Sequence, residues 1–427
     1  MNYYVNALLV HENDQKMRRW WLVLLFLIGI VLSTGFACTQ TAIKNSEISE
    51  TAQSQFSIFQ EELRNSEQPV HNNSPISLPD ETAAIVSSLD NKDLFNPPRG
   101  DVRIVAISDL NGAYGSTDYD PEVDKAINLL PFWQPDLVLC SGDMIAGQNF
   151  ALTREQIKAM WQAFDDHIAS PLRQAKLPYG FTIGNHDGSG ALEAGRKYLF
   201  QEERDLATEY WNNPQHHPGI HFVDRHEFPF YYSFEQSGIF FLVWDGSASQ
   251  IPQEKLAWVE KTLASPQAQQ AKMRILLGHL PLYGVAVGRN KPGEVMNNGE
   301  DLRAMLEKYH VHTYISGHQH AYYPGHRGKL QLLHLGILGS GPRALIDSQL
   351  PPRKTITVID INFDSAELSN YTTYDMQTLE LIGYQELPRF LAGHNGMVLR
   401  RDIEVEDLTS LEKAFCKRSL GTKLCSF

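Results

Sequence analysis

Gly184-Asn185-His186-Asp187 follows the apolar run Tyr179 to Ile183 without a break, and this junction constrains the fold more than any other stretch of the chain. The apolar run reads as a buried strand and the polar tetrapeptide as the loop leaving its carboxyl end. Open α/β sheets carry their chemistry at such loops. Asn offers a neutral carbonyl oxygen to a metal, His titrates near neutral pH, and Asp can orient an imidazole and raise its pKa. In isolation the tetrapeptide reads equally well as an Asn-His-Asp turn punctuated by glycine.

Four further blocks each stand at the end of an apolar run: Asp109-Leu110-Asn111, Gly142-Asp143, Gly278-His279-Leu280-Pro281 and Gly317-His318-Gln319-His320. The ordered set resembles the calcineurin-like metallophosphoesterases, whose pattern is D-x-H, G-D, G-N-H-[DE], G-H and G-H-x-H. The resemblance covers Val102 to about Ile361. Asn111 departs from it, standing where the pattern has histidine.

The resemblance implies an α/β fold, a four-layer α/β/β/α sandwich of two mixed sheets, which the alternation of strand and helix patterns allows. It implies metal-dependent hydrolysis of phosphate mono- or diesters at a dinuclear centre with a bridging hydroxide. Asp143 would bridge the two ions, with Asp109, Asn111 and His320 completing the first site and Asn185, His279 and His318 the second. This mixture of oxygen and imidazole ligands suits two divalent or trivalent transition-metal ions (iron, manganese, zinc or nickel) better than calcium or magnesium. His186 would lie beside the metals and donate, as an imidazolium, to the leaving oxygen, with Asp187 holding its ring. Purple acid phosphatases in the family carry a tyrosine three residues beyond the G-D aspartate; Ala146 stands there, so a purple enzyme is not indicated.

Arg289, in Gly288-Arg289-Asn290, and Arg343, in Gly341-Pro342-Arg343, are candidate substrate-binding residues, because a forked guanidinium matches a phosphate. Solvated loop arginines are the commoner explanation of such positions. Tyr322 and Tyr323 either line the mouth or pack, and His216, His217, His221 and His226 read as surface or lid residues. A formal charge of −13 argues against nucleic acid and against an anionic membrane surface as partners, since both are gripped by Lys and Arg. A small phosphoester is the expected substrate.

Met17-Arg18-Arg19, the apolar run Trp20 to Leu32 and the small residues around Gly35-Phe36-Ala37 give residues 1–43 the form of a signal peptide or membrane anchor. Residues 20–43 carry no charge and are long enough to span a bilayer uncut; Cys38 invites a lipid anchor, although the residues before it lack the usual pattern. The expected location is exported, periplasmic or at the cell surface. Residues 44–98 read as a polar linker, in which a short amphipathic helix is allowed, 99–365 as the catalytic domain and 366–427 as a C-terminal extension. Residues 211–229 read as loop, and Thr355 to Ile361 as the last strand. Four cysteines are too few for a disulfide scaffold, but Cys416 and Cys425 can close a small loop in an oxidising compartment. Two other functions fit the same residues: an exported metal-binding protein with little turnover, its first site weakened by Asn111, and a membrane-tethered scaffold whose partner surface is the tail.

Overall fold

The computed structural model describes residues 78–89, 94–193, 197–365 and 368–425; the expected signal or anchor in residues 1–43 lies outside them. Val102–Ile107 is buried at every position, and a strand covered on both faces has no reason to alternate. It forms the middle of a five-stranded mixed sheet. Leu137–Cys140 and then Tyr179–Phe181 add in parallel on one side, Thr355–Ile361 and Ser369–Asp375 in antiparallel fashion on the other. A nine-stranded sheet has a parallel centre of Ile239–Val243, Met273–Leu277, Thr313–Ser316 and Leu330–His334, with antiparallel strands on both flanks.

The sheets face each other across one apolar core. The Phe181 ring of the smaller sheet sits 5.8 Å from Tyr232 of the larger, and the Phe181 amide donates to the Tyr232 hydroxyl at 3.1 Å. Pro121–Trp133 covers the outer face of the smaller sheet, its fully buried Trp133 ring 5.0 Å from Tyr374. Arg154–Phe164 begins at a true capping box: Gln156 N–H donates to Thr153 Oγ1 and Thr153 N–H to Gln156 Oε1. It buries Ile157, Trp161 and Phe164, one stripe at helical spacing. Gln253–Leu263, whose Trp258 ring lies 6.0 Å from Tyr231, and Gly299–Lys308, which packs on Leu330–His334, flank the larger sheet, which completes the four layers α/β/β/α.

The chain departs from the sequence reading at its polar strands. Residues 211–229 are not all loop: His221–Glu227 is an edge strand, exposed over most of its length, so its histidines carry no apolar signal. Tyr323–Arg327, which contains Pro324 and Gly325, pairs with Leu330–His334. Residues 366–427 are not an appendage. Ser369–Asp375 closes the smaller sheet, Phe390–Gly393 and Gly396–Arg400 close the larger, and Ser410–Leu424 packs its Cys416 against Met397 and Leu399. Within the expected linker Asp80–Ser87 is helical, its Thr82 hydroxyl donating to the Asn128 carbonyl at 2.6 Å, and Leu94 joins the core. Among the described residues no helix is long and apolar enough to cross a membrane.

Candidate metal centre

All five polar blocks leave the carboxyl ends of parallel strands, Val102–Ile107, Leu137–Cys140 and Tyr179–Phe181 in one sheet, Met273–Leu277 and Thr313–Ser316 in the other. The loops are laced together by their main chains: Asp109 N–H donates to Gly142 O at 3.0 Å, Leu110 to Asp143 at 2.8 Å, and Gly317 to His279 at 3.0 Å. Two glycines permit this closeness. A Cβ on Gly184 would stand 2.1 Å from Asp143 Oδ1, and one on Gly317 2.0 Å from Ser108 Oγ. Asp109, Asp143, His318 and His320 all adopt left-handed backbone, with φ of 52°, 57°, 64° and 55°. That conformation costs a non-glycine residue about 1 kcal/mol or more, and such strain collects at functional sites.

Asp187 holds this loop system and does not hold the His186 ring, contrary to the sequence reading. Its carboxylate accepts four main-chain N–H groups, from Asp143 (2.8 Å), Met144 (2.7 Å), Ile145 (2.9 Å) and Gly184 (2.8 Å). Burial and the neighbouring Asp143 charge push it up to about 7, against the pull of those amides. The His186 ring is set instead by Gly147, whose carbonyl lies 3.0 Å from Nδ1. Its Nε2 is left 3.9 Å from Asp143 Oδ2.

The predicted ligands converge, with one exception. Asn185 Oδ1 lies 3.0 Å from His279 Nε2 and 2.9 Å from His318 Nδ1. His279 Nε2 is also 3.2 Å from Asp143 Oδ2, while Asp109 Oδ1 is 3.3 Å from His320 Nε2. Ligand atoms of Asp109, Asp143 and His279 all lie within 4.8 Å of one another. Asn111 is buried in the same loop system, its carbonyl accepting from Ser340 N–H at 3.1 Å, but among the described residues its side-chain amide has no hydrogen-bond partner.

This donor set fits metal. Each imidazole has its far nitrogen anchored: His279 Nδ1 on the Ser141 carbonyl (2.7 Å), His320 Nδ1 on that of Gly341 (2.9 Å), His318 Nε2 on the Glu294 carboxylate (2.9 Å). The near nitrogens therefore face oxygen acceptors. Asp143 Oδ2 and His320 Nε2 are buried and make no hydrogen bond. Acceptors crowded against acceptors demand a cation or a proton between them, and anchored imidazoles with carboxylates are what transition metals take. Burial alone would raise Asp143, yet His279 and His186 hold it well below the usual carboxylate range. Burial opposes charge on His279 too, but Asp143 and Asp109 raise it to about 9. Burial, with Arg289 above the ring, lowers His318 to about 3.

Residues 102–322, more than half of the chain, match the family model for calcineurin-like phosphoesterases. The chain belongs to the calcineurin-like phosphoesterase family. Among solved structures, purple acid phosphatase PPD1 from yellow lupin (Lupinus luteus) seeds is similar at 16% identity and a TM-score of 0.48, over 74% of this chain and 57% of that one. GAP50, the anchor in the inner membrane complex of Plasmodium, is similar at 14% identity and a TM-score of 0.39, over 75% and 95%. A putative 5'-nucleotidase from Staphylococcus aureus follows at 13% and 0.36, over 74% and 57%. The phosphoesterase thus spans little more than half the length of the lupin and staphylococcal chains. No protein of curated function matches its sequence.

The centre of this phosphoesterase opens on a cleft of about 1170 Å³, lined by Tyr114, Asn185, His186, Arg289, His318 and Arg343 among others. Both candidate arginines are therefore at the site. Tyr322 and Tyr323 are not at its mouth; both are buried, and the Tyr323 hydroxyl donates to the Pro388 carbonyl at 3.0 Å. None of His216, His217, His221 and His226 lines the cleft, and His216 instead stacks on Tyr210 at 4.1 Å.

Several contributors to the phosphoesterase centre carry no signal in the sequence. Glu294 fixes the His318 tautomer from 24 residues upstream. Gln148 Oε1 accepts from Asn185 Nδ2 at 2.8 Å and so turns Asn185 Oδ1 toward the imidazoles. Gln319, between the two histidines, points away from them, its Oε1 accepting from Val285 and Ala286 N–H at 3.0 Å each.

Proposed function

We propose that this phosphoesterase hydrolyses phosphate mono- or diesters at a centre of two transition-metal ions. Asp109, Asp143 and His320 would hold one ion, with Asn111 as the fourth group of the pattern although its side chain is not among those that converge; Asp143, Asn185, His279 and His318 would hold the other. The observation that carries this reading is the buried Oδ2 of Asp143, which makes no hydrogen bond and lies beside His279 in the middle of the ligand cluster. Two bound cations lower the pKa of a water and neutralise the phosphoryl oxygens.

The residues of the chain do the rest. Gly147 sets the His186 ring on the wall of the cleft, where its Nε2 would donate a proton to the leaving oxygen. Tyr114, its ring 5.1 Å from that imidazole, shields one side of it. Arg289 and Arg343 offer guanidinium groups to the anionic part of the substrate. Metal analysis together with a panel of model mono- and diesters tests the reading: two equivalents of metal and turnover of at least one class are expected, and a metal-free protein inert toward all of them rejects it.

The protein works outside the cytoplasm, as the basic and apolar start of the chain indicates and as the Cys416–Cys425 disulfide supports. A reporter active only after export, fused behind residues 1–98, checks this; cytoplasmic retention rejects it. A second reading, an exported metal-binding protein with little turnover, draws on Asn111, whose amide is a weaker ligand than the imidazole of the family pattern. Stoichiometric metal without hydrolysis of any phosphoester would favour it.

A further inference from the structure

Arg343 stands on the wall of the cleft, where Glu294 offsets its charge only from beyond ion-pair distance. Among the described residues it has no carboxylate partner and no side-chain hydrogen bond, and its Nε is buried and unbonded. Two contacts hold it in place. Its main-chain N–H donates to the His320 carbonyl at 3.0 Å, and its Nη1 lies so close to Gly288 that a Cβ there would come within 2.9 Å of it. Beside it, Arg289 lies above the His318 ring, with Nη1 2.9 and 2.8 Å from the two ring nitrogens. Among the described residues Glu294 is the only acid paired with this group, 3.4 Å from Arg289 and 3.7 Å from Lys291. Three cations thus share one carboxylate, in a chain whose formal charge is −13. The terminal nitrogens of Arg343 have no acceptor among the described residues, and an anion in the cleft would supply one.

We propose that Arg343 forms a second anion subsite, so that the preferred substrate carries two anionic groups in sequence: the scissile phosphoryl at the ligand cluster, bordered by Arg289, and a neighbouring phosphate at Arg343. The substrate class is a diphosphate-type phosphoester, as opposed to a monoester of a neutral alcohol. This rests on the phosphoesterase reading above.

Calorimetric binding of orthophosphate and of methylenediphosphonate, whose P–C–P linkage resists hydrolysis, to the manganese-loaded full chain tests it. R343Q should weaken methylenediphosphonate binding about tenfold to a hundredfold, the range of a charge-assisted hydrogen bond, and R343K should recover part of the loss. Orthophosphate should lose several-fold less affinity than methylenediphosphonate in R343Q. Equal losses for both anions, or none for either, overturn the subsite. If the native protein binds orthophosphate and hydrolyses monoesters while R343Q leaves methylenediphosphonate binding intact, only the subsite fails. If it binds neither anion and hydrolyses no phosphoester, the broader reading fails and the subsite with it.

Discussion

His320 Nε2 faces Asp109 Oδ1 at 3.3 Å, while its Nδ1 lies 2.9 Å from the Gly341 carbonyl. With Nδ1–H donating to that carbonyl, a lone pair and a carboxylate meet at contact distance. A cation between them removes the repulsion, so metal binding is coupled to folding stability. Chelation should lower the thermal midpoint, and manganese should restore it. At a metal concentration a thousandfold above its dissociation constant the stabilisation is about 4 kcal/mol. Identical melting curves with and without chelator would show that these residues hold no ion.

Asp143 is the carboxylate common to both proposed ions. Asp143→Ala should empty both sites and abolish turnover. Metal content near that of the native protein in this variant would sink the bridging role.

His186 and Asp187 are neighbours in sequence with opposite expectations. His186→Ala should keep both metals and lose about two to four orders of magnitude in turnover. Asp187→Asn sets an amide group against four N–H donors, each of which needs an acceptor. With a buried unsatisfied donor costing about 1–3 kcal/mol, the variant should be destabilised by several kcal/mol. A denaturant titration reads this directly. An Asp187→Asn protein as stable as the native one, with only its turnover lost, would return Asp187 to the catalytic role.

Asn111 should make the two ions unequal. An amide oxygen binds borderline metals less tightly than imidazole does, so the ion at Asp109, Asn111 and His320 should leave on dialysis while the one at Asn185, His279 and His318 stays. Asn111→His should tighten the weak site. Two equal, tight affinities on titrating metal into stripped native protein, unchanged by Asn111→His, would reject the idea.

Acid sensitivity should come in part from His334, which does not line the cleft and whose ring is buried beside the Tyr323 carbonyl. Burial lowers it from the ordinary 6.5 to about 4. Between these values the unfolded chain binds the proton and the folded one does not. Its contribution is thus complete above pH 6.5 and is lost as the pH falls toward 4. At about 1.4 kcal/mol per pH unit the whole span is about 3 kcal/mol. His334→Gln should flatten stability over this range; an unchanged slope would exclude His334 as its source.

The candidate cluster was legible because four of the five blocks end a strand buried at every position, where the apolar run is continuous and its end is sharp, and the fifth strand, Met273–Leu277, is interrupted only at Arg274. Asp187 was misread for a local reason. Asn185–Gly188 is one helical turn, and adjacent residues on a helix point in different directions, so nearness in sequence did not make a pair with His186. Glu294 and Gln148 are brought in by the fold and have no spacing that could betray them. The strands that escaped notice, His221–Glu227 and Ser369–Asp375, lie on sheet edges, where polar side chains are tolerated and alternation weakens.

The left-handed backbone at Asp109, Asp143, His318 and His320 has a further consequence for how this protein can change. Glycine or asparagine sits at such angles with less strain than histidine does. In the metal-free protein, selection for heat resistance would therefore push toward replacing the very side chains that the centre needs. Variants gained at these four positions should be hardier only while metal is withheld, and thermostable descendants that still work must have drawn their gains from elsewhere in the chain.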